Sequence, residues 1–140
     1  ETMALSFRAS ERQYKTMRHD IGYLTNELIE NAIKFRAAGE VHIEALIDAH
    51  HFRMRIANFI DSEATARFQQ LLLKVTAGDP GDLLIEQIEA SVLADDNASG
   101  LGLLTLMSDY QVQLAWHFDE NGPHQRIRLQ TYAAMAISSA

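Results

Sequence analysis

No cysteine occurs among the 140 residues. A disulfide framework and thiolate zinc sites are therefore excluded, and a reducing compartment is permitted. No apolar run approaches the roughly 20 residues that a membrane span requires. The first residues carry no basic-then-apolar signal pattern. Cations are scarce: 12 Lys and Arg stand against 19 Asp and Glu, a formal net charge of −7. That balance argues against a nucleic-acid binder, which would carry a basic stripe. It still permits an anionic nucleotide, because backbone amides and a few local cations can hold one. Gly-x-Ser-x-Gly, P-loop and Rossmann glycine patterns are all missing. The six histidines show no HxxxH or HExxH spacing, so no metal site is expected from them. His19, beside Asp20 on a helix, reads as structural. An apolar content of 47% fits one globular domain over 1–140 with a core of its own.

The most informative stretch is Asp20–Phe35, DIGYLTNELIENAIKF. Wound as a helix at about 100° per residue, it gathers Met17, Ile21, Leu24, Leu28, Ala32 and Phe35 into one apolar arc. Asp20, Tyr23, Glu27, Asn31 and Lys34 fall in a second arc beside the first. Glu27 and Asn31 thus lie one turn apart on the border between core and solvent, where a pocket floor would lie.

The rest of the chain follows in order. Met3–Arg8 alternates and predicts a short strand. Ser10 and Gln13 read as a capping box, so the long helix is expected from Glu11 to Ala37, with Gly39 as its stop. Val41–Ala49 alternates and reads as a half-buried strand, Phe52–Ile60 alternates again, and the two form a hairpin across His50-His51, with Asn58 on the apolar side. Asp61 or Ser62 caps a helix to Val75, and Gly78-Asp79-Pro80-Gly81 makes a turn. Gly81–Ala94 predicts a helix whose apolar side is Leu84, Ile85, Ile88 and Val92. A short buried helix over Leu101–Tyr110 opens at glycines. Gln111–Phe118 and Arg126–Ala133 are strands joined through Asn121-Gly122, and Ser138–Ala140 is a frayed end. This order predicts an α/β (α+β) two-layer sandwich: a mixed, mostly antiparallel sheet with helices on one face.

Two stretches carry a family likeness. Glu27–Phe35 (ELIENAIKF) resembles the N-box of the GHKL (Bergerat-fold) ATPases, a Glu four residues before an Asn. Ser99–Leu103 (SGLGL) resembles the second glycine box of that superfamily, and follows Asn31 in the right order. The small size points to the anti-sigma-factor serine kinases and SiaB-type regulator kinases. The resemblance covers nearly the whole chain and implies the histidine-kinase-like ATPase fold, with a lid-like helical insertion at about 61–98. It implies that Asn31 holds Mg²⁺ on the ATP phosphates and that Glu27 is the general base. Ser99, Gly100, Leu101 and Gly102 would cradle phosphate, with Lys34 as a nearby charge. Two departures stand out. Where the family has Asp-x-Gly-x-Gly, this chain has Asn58-Phe59-Ile60-Asp61-Ser62, and the Gly-Thr pair before the last strand is not evident. The phosphate half of the site is kept, while the adenine half is altered.

The resemblance implies a cytoplasmic signalling regulator that binds ATP–Mg²⁺ and phosphorylates Ser or Thr of a small partner, such as an anti-sigma-antagonist-like protein. The alternative is a catalytically degenerate module that controls a response regulator, phosphatase or anti-sigma antagonist without nucleotide. Neither reading involves nucleic acid or membrane, and a homodimer is compatible with both.

Overall fold

The structure is a computed structural model that describes residues 2–93, 100–120 and 126–137. In chain order its elements are α1 (Thr2–Phe35), β1 (His42–Ile47), β2 (His51–Ile60), α2 (Ser62–Val75), α3 (Pro80–Leu93), α4 (Leu101–Ser108), β3 (Gln113–Asp119) and β4 (Ile127–Ala136). The strands form one sheet in the order β1-β2-β4-β3, and every described pairing is antiparallel. The helices pack on one face of it. This is the two-layer α+β arrangement expected from the sequence.

The inner face of the sheet is built from alternate residues, as a pleat requires. Phe52, Met54, Ile56 and Ile60 of β2 and Ile127, Leu129, Ala133 and Met135 of β4 are buried there. Leu24 and Leu28 of α1 close one half of the core, with Leu106 of α4. Phe35 of α1, Phe68, Leu72 and Val75 of α2, and Leu103 and Leu104 of α4 close the other. The outer face carries Arg53, Arg55, Tyr132, Ala115 and Glu44, and no helix covers it among the described residues. There Arg55 donates to Glu44 at 2.7 Å and to Gln130 at 2.9 Å.

Three expectations need correction. Met3–Arg8 is helix, not strand, and α1 runs without a break from Thr2. The segment has no Gly or Pro, so a helix nucleated downstream propagates through it at little cost. Ser10 is consequently an interior residue of α1 and not its cap. The second correction concerns α3. Its inward side is Leu83, Leu84 and the buried Gln87, while Ile85 and Ile88 face solvent. Third, β1 was expected to be half-buried, yet all six of its residues are exposed. It is the edge strand, and the helical layer stops at β2. The Asn121-Gly122 turn and the Ser138–Ala140 end lie outside the described residues.

Local chemistry explains the joints. Asp61, in an extended conformation, accepts from the Ala64 N–H at 2.7 Å and caps α2. At the β1–β2 hairpin, the Asp48 carboxylate accepts from the N–H groups of His50 and His51 at 2.7 and 2.8 Å. Those bonds hold its pKa below the usual range.

Candidate functional site

The second arc of α1 is the seam on which α4 docks. Tyr23 stacks on Tyr110, just beyond α4, with ring centroids 4.7 Å apart and planes within 2°. One turn on, the Glu27 carboxylate lies directly against Gly102, so that a Cβ at 102 would collide with it. One further turn on, Asn31 shares a small cavity with Leu103. Thus ELIENAIKF and the glycine segment, distant in sequence, meet in space, and Glu27 and Gly102 form the contact. Burial is the main cause that raises the Glu27 pKa above its usual value, with the neighbouring Glu30 second. Burial likewise raises that of Tyr23, assisted by the Glu27 charge.

Both glycines have packing reasons to be glycine. Gly100 precedes α4 with φ of 74°, the left-handed region, and a Cβ there would meet Val75 at 2.8 Å and Leu71 at 2.9 Å. Gly102 admits the Glu27 side chain. Leu101, half-buried, opens α4 between them. Ser99 lies outside the described residues. Lys34 is exposed, with its ammonium 5.6 Å from the centre of the Phe35 ring.

The space beneath Asn31 decides what this arrangement can hold. The cavity there is lined by Leu28, Phe35, Phe68, Leu103, Trp116 and Leu129, among others, and measures about 10 Å³. Room for one water needs roughly 10–15 Å³, and ligand pockets usually begin near 300 Å³. Aromatic rings occupy the rest. Phe68 of α2 sits 4.9 Å from Phe35, 6.2 Å from Phe118 and 6.4 Å, edge-on, from Trp116. Asn58 is buried on the inner face opposite Leu129, and its amide donates to the Phe59 carbonyl at 3.4 Å. It lines not the cavity under Asn31 but a separate one of about 340 Å³, with Gly39, Glu40, His42, Arg126 and Arg128. No group of three or more His, Asp or Glu side chains gathers as a cation site among the described residues.

Of the residues the sequence grouped into one site, the structure brings Glu27 onto Gly102 and Asn31 beside Leu103, while Gly100 packs on Leu71 and Val75, Lys34 is exposed and Asn58 lies on the sheet. Sequence reasoning missed Tyr23–Tyr110 and Phe68. Tyr23 was visible in the polar arc, and Phe68 in the spacing Ala64, Phe68, Leu72, Val75 of α2. No helix among the described residues is long and apolar enough to cross a membrane. No protein-family model, curated protein or solved structure matches the chain.

Proposed function

We propose that this chain is a GHKL-like signalling regulator that works by binding a protein partner, with no nucleotide in its cycle. The partner would be a response regulator, phosphatase or anti-sigma antagonist. The observation that carries the reading is the packing under Asn31: Phe35, Phe68 and Trp116 line a cavity of only about 10 Å³, far smaller than ligand pockets usually are. The replacement of the family's Asp by Asn58, and the loss of both following glycines, support it as well. The helical insertion after β2 acts here as core, since α2 buries Ala64, Thr65, Phe68, Leu72 and Val75.

The kinase reading, with ATP and Mg²⁺ at Glu27, Asn31, Gly100 and Gly102, has one observation in its favour. Glu27 and Gly102 are in contact although 74 residues separate them (27 to 102, exclusive). Against it, the same contact puts a carboxylate where a phosphate would approach the glycine, and two anions at close range repel.

Calorimetric titration of ATP and ADP with Mg²⁺, on wild type and on Asn31→Ala, separates the readings. The module predicts no heat at millimolar nucleotide. Micromolar binding in wild type that disappears in Asn31→Ala would overturn it and restore the kinase.

A further inference from the structure

The cavity that Asn58 lines opens on the outer face of the sheet, away from α1 and Asn31. His42 is opposite Ala57 and Phe59 opposite Arg128. These four alternate with the buried Ile56, Ile60, Ile127 and Leu129, so they belong to the outer face. The chain between α1 and β1 forms one wall, through Gly39 and Glu40. At about 340 Å³ the cavity has the size at which ligand pockets begin.

Two arginines set its chemistry. Arg126 and Arg128 are half-buried, yet among the described residues neither is in an ion pair. Charged side chains withdrawn from water normally have a partner of opposite sign, and a chain with 19 Asp and Glu has many to offer. Arg126 is also held in one orientation. Its Nη1 donates to the Ala38 carbonyl at 2.7 Å, and its guanidinium lies 4.6 Å from the centre of the Phe59 ring. Its buried Nε has no hydrogen-bond partner. Gly39 permits this seat. Its φ is 144°, and a Cβ there would meet Phe59 at 2.7 Å and Nη1 of Arg126 at 3.3 Å. His42 adds a further nitrogen, 3.2 Å from the Glu40 carboxylate. Asp119, opposite Arg128 in the ladder, does not line the cavity.

We propose that this cavity binds a single phosphate group, free or carried as a phosphomonoester. Such binding is independent of the nucleotide reading, whose residues Glu27, Asn31 and Gly102 lie on the helical side of the sheet. A guanidinium already held in place gives up little freedom on binding, and its fork matches the oxygens of a phosphate. A phosphomonoester carries a charge of about −1.5 to −2 at pH 7 and three strong acceptor oxygens. Those answer the two charges of Arg126 and Arg128 and leave an oxygen for the His42 ring. A carboxylate brings one charge and two oxygens, and would leave one arginine without a counter-charge. A polyphosphate is disfavoured by Glu40 in the wall and by the net charge of −7.

Calorimetric titration of the whole chain with inorganic phosphate, phosphoserine and acetate tests the site. Binding of phosphate and phosphoserine, without binding of acetate, is the expected result. Arg126→Lys keeps the charge and loses the fork, and Arg128→Gln removes a charge. Each should weaken phosphate binding at least about tenfold with unchanged circular dichroism. Arg128→Gln covers the case in which the Arg126 variant fails to fold. Asn31→Ala should leave phosphate binding as it is, and a loss there would put the anion at the glycine segment and overturn the proposal. The two probes separate the sources. Tighter binding of phosphoserine assigns the cavity to a phosphorylated side chain of a partner, and equal or weaker binding assigns it to free phosphate. No heat from either at millimolar concentration overturns the proposal. So does phosphate binding that survives both arginine variants, or acetate that binds as tightly as phosphate.

Discussion

At the residue scale, Glu27 and Gly102 explain one another. Replacing a helical Gly by Ala ordinarily gains up to about 1 kcal/mol. Here the added methyl meets the far end of the flexible Glu27 side chain, which must turn aside. Gly102→Ala should therefore gain less in the wild type than in a Glu27→Ala background. Urea unfolding of the four proteins of the cycle reads the difference, and additive effects would contradict the contact. Glu27 also makes a pH prediction. Its carboxyl titrates above the usual glutamate value of 4.5 because it is partly desolvated and lies near Glu30. Below that usual value it is protonated in folded and unfolded chains alike. Above the raised folded pKa it is ionised in both, and the folded state carries the burial penalty. Glu27→Gln should thus raise the melting temperature at neutral pH, and the gain should vanish as pH falls below the usual value. The spacing of Glu27 and Asn31 was legible from the sequence. Their surroundings were not, because a helical arc shows which residues share a side and not which element covers it.

At the scale of elements, the cap of α2 was legible because its signal is local, whereas the one read at Ser10 was overrun by a helix that begins upstream of it. Asp61 stands between an apolar strand and a helical pattern. Asp61→Ala should cost about 1 kcal/mol, measured as a lower urea midpoint with unchanged slope. Phe68 shows what local patterns leave out. Its spacing marks it as core, but nothing in α2 announces that its ring lies against Phe35, Trp116 and Phe118 and fills the space under Asn31. Phe68→Ala should cost about 3–5 kcal/mol; a loss below about 1 kcal/mol would mean that the ring is not packed as described. Two elements misled in opposite ways. The alternation in Met3–Arg8 was outweighed by an uninterrupted helix that continues into it. The alternation in β1 was a true strand signal, but the burial it implied depends on a helical layer that does not reach that edge.

At the scale of the whole molecule, the order β1-β2-β4-β3 puts the last strand in the middle. β4 pairs with β2 along the full ten residues of each, and with β3 along seven. The inner ladder begins at Ile60 and Ile127, so its closure spans residues 61–126. Topology of this kind, dominated by pairings remote in sequence, slows folding relative to helical bundles. Two-state refolding in milliseconds to seconds is therefore expected by stopped-flow fluorescence of the one tryptophan, Trp116; a microsecond phase carrying the full amplitude would contradict it. During synthesis, β2 and β3 emerge before the strand that joins them. Until Ile127–Ala136 leaves the ribosome, β2 has only β1 beside it and β3 has no strand to pair with. The chain thus spends that interval dependent on chaperones or on speed, a vulnerability set by strand order alone.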